Sequence, residues 1–80
     1  MDIYVGNLPW SIDDDGLQAL FAEHGDVISA KVIKDRETNR SKGFGFVEMD
    51  DDSGSNAIST LDGTEVDGRN IKVNQSKGKK

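Results

Sequence analysis

Three aromatic side chains and one lysine are the residues of this chain best suited to binding chemistry. Phe44 and Phe46 alternate with glycines in the run Lys-Gly-Phe-Gly-Phe-Val, which begins at Lys42, and Tyr4 stands near the start of the chain. Flat aromatic faces stack on the bases of an unpaired nucleic acid, each stack contributing about 1–3 kcal/mol, and lysines meet the phosphates between those bases. The residue types predict a surface that holds a single strand by its bases.

Residues for catalysis or metal binding form no recognisable set. His24 is the only histidine, and a helix-end or packing role is expected for it because no nucleophile or metal ligand accompanies it. The aspartates at 13–15 and 50–52 are typical of helix starts. An EF-hand loop opening at Asp50 would place Leu61 where a bidentate glutamate is required. We therefore expect no catalytic residue, no metal and no cofactor, and hence no enzyme.

Hydrophobic periodicity predicts the elements that position the aromatic residues. In chain order they are a strand over 3–7, a helix over 13–24, strands over 27–34 and 42–50, a helix over 52–61 and a strand over 69–74. The order β-α-β-β-α-β predicts an α+β, ferredoxin-like sandwich. Its four-stranded antiparallel sheet has the strand order 4-1-3-2, with both helices on one face. The domain is expected to cover 1–76, followed by a short basic tail at 77–80.

Strand alternation predicts which face of the sheet the helices leave open. One face is aliphatic, and the other carries the charged and polar residues Lys31, Lys42, Glu48, Lys72 and Asn74. Tyr4, Phe44 and Phe46 fall on the charged face, which must be the solvated one. In the alternative, the phenylalanines belong to the core. That alternative would bury Lys42 and Glu48 without partners, which costs too much free energy.

The same residues resemble a known family. Lys42 to Met49 is similar to the longer ribonucleoprotein motif of RNA recognition motif (RRM) domains, and Ile3 to Leu8 is similar to the shorter one. The resemblance implies single-stranded RNA binding, with Tyr4, Phe44 and Phe46 as base-stacking residues and Lys42 at the phosphate backbone. Met49 stands where the family usually has Phe or Tyr. The third strand, the turn at 61–63 and the last strand with its stub tail also look like small single-domain RRM proteins of bacteria.

The net charge of −5 and pI near 4.6 argue against a nucleic-acid partner unless the charges are separated. The two aspartate runs fall at helix starts, away from the predicted rings, whereas most lysines and arginines border them, and local potential governs the encounter. Secondary RNA contacts are expected from residues beside the rings, in the loop after the second strand and in the tail. They are Lys31, Ile33, Arg40, Lys72, Asn74 and Lys77.

The remaining expectations concern partners and location. Single-stranded RNA is the expected partner, in post-transcriptional regulation, with single-stranded DNA as a weaker ligand and the chain acting as a monomer. No stretch is apolar enough to cross a bilayer and no signal peptide begins the chain, so no membrane partner and a cytoplasmic location are expected. Trp10 either packs over the edge of the domain or touches RNA from the side, and packing is favoured.

Two other functions compete with RNA binding. An RRM-like protein-interaction module would hold a peptide on the sheet or on a helix face, and loss of the rings would have indicated it, but all three rings are present. A small ferredoxin-like enzyme such as an acyl-phosphate hydrolase requires an anion-binding loop with an Arg–Asn pair after the first strand. That position reads Leu8-Pro9-Trp10-Ser11 instead.

Overall fold

Two helices and a four-stranded antiparallel sheet form the core of the fold in the computed structural model, which describes residues 1–76. The elements are β1 (Asp2–Gly6), α1 (Asp14–Ala22), β2 (Val27–Lys34), β3 (Ser41–Met49), α2 (Asp51–Leu61), β4 (Glu65–Val66), β5 (Arg69–Asn70) and β6 (Lys72–Gln75). The sheet order β2-β3-β1-β6 confirms the predicted ferredoxin-like arrangement. The tail at 77–80, predicted to be basic and separate from the domain, lies outside the described residues.

The core lies between the helices and one face of the sheet. Ile3 and Val5 of β1 and Val47 and Met49 of β3 are buried, and Phe21 of α1 is the largest fully buried side chain. These strand residues alternate with Tyr4, Phe44 and Phe46, which are half-buried or exposed. The aliphatic face is therefore the one that the helices cover, and the aromatic face is open to solvent.

Both helices begin close to the predicted positions but are held in different ways. The Asp13 carboxylate accepts the backbone N–H of Gly16 at 2.8 Å, which caps α1 as predicted. Asp50 occupies the N-cap position of α2, as expected for a helix start, but its side chain forms no capping hydrogen bond. Asp14 accepts the backbone N–H of Val32 at 2.7 Å. This aspartate therefore also ties the start of α1 to β2.

The first helix ends earlier than the sequence predicts. It ends at Ala22, with Glu23 as its C-cap, so His24 and Gly25 lie beyond it. His24 N–H donates to the carbonyl of Phe21 and Gly25 N–H to that of Ala22, which are contacts three residues apart. This tighter 3₁₀-type turn replaces the last α-helical turn.

The predicted last strand is divided at Ile71. Arg69–Asn70 pairs with Glu65–Val66 in a separate two-stranded hairpin, closed by Asp67 and Gly68, which both have positive φ. Only Lys72–Gln75 joins the main sheet, beside β1. The Ile71 side chain is fully buried and its backbone pairs with Gly63 and Thr64 instead. The prediction of a continuous strand over 69–74 is thus wrong, because the first two of these residues belong to the hairpin.

Candidate nucleic-acid interface

The three predicted aromatic residues form one cluster on the open face of the sheet. The ring centroids of Tyr4 and Phe44 are 6.0 Å apart, those of Tyr4 and Phe46 5.8 Å and those of Phe44 and Phe46 6.1 Å. The two phenylalanine rings are almost perpendicular, at 88°. Such spacings are typical of mutually stabilising aromatic pairs. The rings therefore form a continuous apolar platform.

Strand register explains why these rings meet. Tyr4 lies directly opposite Phe46 across the β1–β3 ladder, and Phe44 lies opposite Gly6. A Cβ atom at Gly6 would fall 2.6 Å from the Tyr4 hydroxyl oxygen. The tyrosine ring therefore leans along β1 over Gly6, where it reaches Phe44 on the diagonal. The glycine leaves the space that this ring occupies.

Polar side chains extend the platform to both edges of the sheet. Across the four strands, Asn74 pairs with Tyr4, Tyr4 with Phe46, and Phe46 with Lys31. Lys72 pairs with Gly6 in the next position. Because directly opposite residues of an antiparallel ladder point to the same face, Asn74, Lys31 and Lys72 border the rings as the sequence predicts.

The platform has an acidic end. Asp2 lies opposite Glu48 across β1 and β3, and Glu48 lies opposite Ser29 of β2. Like charges placed directly opposite each other destabilise a ladder, and they repel phosphate groups. The sheet is thus negative beyond Tyr4 and Phe46, and its positive charge lies elsewhere. A polyanion is disfavoured at the acidic end.

Comparison with known proteins decides what kind of domain this is. The family model described as RNA recognition motif matches residues 3–72. This chain belongs to the RNA recognition motif family. A crystal structure of RNA-binding protein PG1 is 44% identical with a TM-score of 0.95, covering 100% of this chain and 98% of that one. The Rna15 RRM with bound RNA (GU) is 31% identical with a TM-score of 0.87, covering 96% of this chain and 83% of that one.

Curated relatives of this RRM domain include plant proteins. A chloroplastic 31 kDa ribonucleoprotein of Nicotiana sylvestris is 60% identical over 73 residues, which is 90% of this chain and 23% of the relative. The mitochondrial glycine-rich RNA-binding protein 2 of Arabidopsis thaliana is 52% identical over 73 residues, again 90% of this chain and 46% of the relative. The chain thus spans about a quarter to a half of their lengths.

The predicted cytoplasmic location is wrong by this comparison. Chloroplastic ribonucleoproteins of Nicotiana sylvestris, Spinacia oleracea and Arabidopsis thaliana are 58–60% identical to the chain, and they point to a plastid. The prediction rested on the lack of a signal peptide at the first residue. That argument carries no weight here, because the chain spans only a fraction of the length of its relatives. In the part of the chain that the structure describes, no helix is long and apolar enough to span a membrane.

Lys42 of the RRM domain is exposed, but simple alternation does not place it. From the Val32–Gly45 pair to the Lys34–Ser41 pair, β2 advances by two residues and β3 by four. Gly43 adopts a φ of +87°, which L-residues rarely take, at this irregularity. Alternation alone therefore does not fix the face of Lys42, and its place beside Phe44 stays a prediction. Lys42 reaches the solvent from a bulged segment next to the platform.

The loop after β2 is ordered by Asp35. Its carboxylate accepts the backbone N–H groups of Glu37 at 2.8 Å and Thr38 at 3.3 Å. These two bonds hold the pKa of the Asp35 carboxyl below its ordinary value, and the nearby Lys42 ammonium adds a smaller effect in the same direction. The loop contacts stay intact at neutral pH, and only acid below the ordinary pKa of an aspartate would loosen them.

The remaining predicted residues are placed as follows. Ile33 is half-buried on β2, and Arg40 is exposed in the loop before β3. Lys77 lies outside the described residues. Trp10 is 74% exposed, so the favoured packing role is wrong. Within residues 1–76, no group of three His, Cys, Asp or Glu side chains is close enough to hold a metal ion.

Proposed function

We propose that this RRM domain binds single-stranded RNA on the open face of its sheet. The observation that carries the proposal is the cluster of Tyr4, Phe44 and Phe46, whose rings contact one another on the face that the helices leave uncovered. Each ring offers a π-face to a base. Lys42 meets the phosphate backbone at the bulged start of β3. Lys31, Ile33, Arg40, Lys72, Asn74 and Lys77 are proposed as secondary contacts.

The relatives support an RNA ligand for this chain. Several carry ribonucleoprotein or RNA-binding in their names, and the Rna15 RRM has a solved structure with bound RNA (GU). That RRM matches 96% of this chain, so its match includes the strands that carry the rings. The bases that the present domain prefers depend on polar contacts around the platform.

The charge distribution supports RNA binding despite the acidic composition. The aspartates of the two runs stand at the starts of α1 and α2, the layer that packs on the other face of the sheet. The exposed Lys31 and Lys72 border the rings. These lysines therefore lie on the face that the strand contacts, whereas the aspartates of the two runs act on it through screened solvent.

The finer features of the proposal concern assembly, ligand range and biology. The domain is proposed to extend over 1–76 with 77–80 as a basic tail, to act as a monomer without enzymatic activity, and to bind single-stranded DNA more weakly than RNA. Its proposed role is post-transcriptional regulation of RNA. The motifs also look like those of small single-domain bacterial RRM proteins.

Preference for unpaired RNA tests the proposal directly. We expect an unpaired oligomer to bind far more tightly than the stem of a hairpin, because the platform stacks splayed bases and the sheet offers no element shaped for a groove. Single-stranded DNA should bind with intermediate affinity. Fluorescence anisotropy with labelled oligomers of equal length measures all three affinities. Equal affinity for the stem and the unpaired oligomer would contradict the proposal.

Salt dependence tests the proposed role of Lys42. With two or three phosphate contacts on a single strand, log affinity should fall against log salt concentration with a slope of about −1.4 to −2. Lys42→Ala should reduce the slope by about 0.7 and weaken all sequences alike. The slope is measured by RNA titrations at several salt concentrations.

The matched control for Lys42 is an acid on the helix layer. Asp52→Asn changes the net charge by +1, as against −1 for Lys42→Ala, and Asp52 is exposed in the first turn of α2. Asp13 and Asp14 are unsuitable because both hold the backbone. We expect Asp52→Asn to leave the slope almost unchanged. If the slope changes with Asp52→Asn but not with Lys42→Ala, Lys42 is not a phosphate contact.

A further inference from the structure

A groove lies beside the platform at the start of β3. Its volume is about 380 Å³, and its lining comes from the loop after β1, the start of α1 and the β2–β3 loop. Trp10, Asp13, Lys34, Arg40 and Ser41 are among the residues that form it. This volume is at the small end of the range for ligand pockets, about 300–1,000 Å³. The groove thus offers room for a ligand about the size of one nucleotide.

The loop that carries Trp10 is held on both sides by contacts distant in sequence. Asn7 donates from its amide to the carbonyl of Asn70 at 2.8 Å and accepts from the Arg69 guanidinium at 2.9 Å. On the other side, the Ser11 hydroxyl donates to the Asp67 carboxylate at 2.8 Å. The β4–β5 hairpin therefore clamps this loop, and Trp10 is presented to solvent on a fixed backbone.

An exposed tryptophan in such a setting is suited to stacking. Leu8 and Pro9, which precede it, are buried, and the Leu8 N–H donates to the carbonyl of Gly43 at 2.8 Å. Trp10 itself is 74% exposed, the most exposed of the large hydrophobic side chains in residues 1–76. Leu8 and Pro9 anchor the loop, so the loop does not depend on packing of the Trp10 side chain. Its ring is available to a ligand at little ordering cost.

The charges in the groove favour a nucleotide over a purely apolar ligand. Lys34 and Arg40 are both exposed, and neither forms an ion pair with another of the residues 1–76. Asp13 is the one acid in the lining, and its carboxylate is already engaged with the Gly16 N–H. An aromatic face beside two unpaired cations matches a base with its phosphate.

We propose that this groove holds one further nucleotide of the bound RNA strand, with its base on Trp10 and its phosphate facing Lys34 and Arg40. The inference rests on the proposed function and extends it beyond the sheet. Ser41 lines the groove and Phe44 belongs to the platform, three residues later in β3. They are at most about 10 Å apart along the strand. A strand leaving the platform away from the acidic end is therefore within reach of the groove.

Trp10 is the only tryptophan, so its fluorescence reports on the groove alone. We expect random-sequence RNA of eight nucleotides to quench it. An RNA of three nucleotides, enough for the two or three bases that such a platform stacks, should quench it little. By anisotropy, Trp10→Ala should weaken binding of the longer RNA by about 5- to 150-fold, whereas the shorter RNA should lose little. Trp10→Phe should restore part of the loss.

A pair of arginines in one loop supplies the matched control. Arg36 and Arg40 are both exposed, and only Arg40 lines the groove. Arg40→Ala should weaken binding of the longer RNA more than binding of the shorter one. Arg36→Ala should affect the binding of both RNAs equally. Circular dichroism should show every variant folded. The groove assignment is overturned if Trp10→Ala weakens binding of both RNAs equally. It is also overturned if the longer RNA leaves Trp10 fluorescence unchanged.

Two further outcomes separate this inference from the proposed function. If the wild-type protein binds neither RNA, the proposed function itself fails. If it binds both and Trp10→Ala changes neither affinity, the groove alone is refuted. A mixture of nucleoside monophosphates that quenches Trp10 at the same concentration as the eight-nucleotide RNA would make the groove a site for free nucleotides and overturn its place in the RNA path.

Discussion

Replacing both phenylalanines of the platform, Phe44→Ala with Phe46→Ala, should abolish RNA binding while the domain stays folded. Two stacking surfaces are lost, which costs about 2–6 kcal/mol of binding free energy. That corresponds to an affinity roughly 30-fold to more than 10,000-fold weaker. Phe46 is 38% exposed and neither ring is fully buried. The helices and the aliphatic core therefore keep their contacts, and anisotropy titration should show the loss of binding.

The cost of this double substitution to stability is expected to be modest. The ring–ring contacts among Tyr4, Phe44 and Phe46 are worth about 0.5–1.5 kcal/mol each beyond simple burial. Their loss lowers the melting temperature without unfolding the domain at 25 °C. Ile28→Ala is the matched control, since Ile28 is a large apolar side chain that is 64% exposed and stands at the register shift of β2 next to the Ser29–Glu48 pair. A double variant that binds RNA as tightly as Ile28→Ala would refute the stacking proposal.

The architecture was predictable because each element carries a local signal that tertiary packing did not override. Apolar residues alternate in β1 and β3, and the two crossovers admit only one arrangement of the strands. The errors fall where distant residues decide local structure. Ile71 interrupts the last strand because it pairs with Gly63 and Thr64, and no periodicity within 69–74 indicates that break.

The platform and the polar residues directly beside it were predictable for the same reason. The register is regular from Tyr4 to Phe46 and on to Lys31, so alternation assigns these three to one face correctly. It does not settle the face of Lys42, because β3 carries two extra residues relative to β2 at that point. A positive φ at Gly43 is compatible with the sequence but not demanded by it.

Trp10 shows a different limit of sequence reasoning. An isolated aromatic residue in a loop is ordinary, and its exposure depends on what the loop contacts. Here the decisive contacts join Asn7 to Asn70 and Ser11 to Asp67. These partners are 63 and 56 positions apart in the chain. Local patterns carry no information on such pairs, so the groove became visible only in three dimensions.

The second large effect is expected at Gly45, the residue between the two phenylalanines, where Gly45→Ala should destabilise the fold by about 3 kcal/mol. A Cβ atom there would lie 2.5 Å from the Lys31 carbonyl oxygen and 3.1 Å from both Leu17 Cδ2 and Val32 Cα. Two of these three atoms belong to the β2 backbone, which cannot rotate away as a side chain can. For a domain of this size the melting temperature should fall by about 12–24 °C.

Gly54→Ala is the matched control for this prediction, because Gly54 is also buried against close neighbours. A Cβ atom there would lie 2.6 Å from the Met1 sulfur, on a flexible side chain that has other rotamers. The helix gains up to about 1 kcal/mol from alanine, and moving Met1 offsets part of it, so a change within about 1 kcal/mol is expected. Thermal and urea unfolding of both variants measure the difference. If Gly45→Ala is no less stable than Gly54→Ala, the strands do not approach each other as closely as the structure shows.

The two large effects differ in how they reach RNA binding, because the substitutions act on opposite faces of one strand. Gly45→Ala should weaken RNA binding only in proportion to the fraction of protein that it unfolds. Phe44→Ala with Phe46→Ala should weaken RNA binding in the folded state.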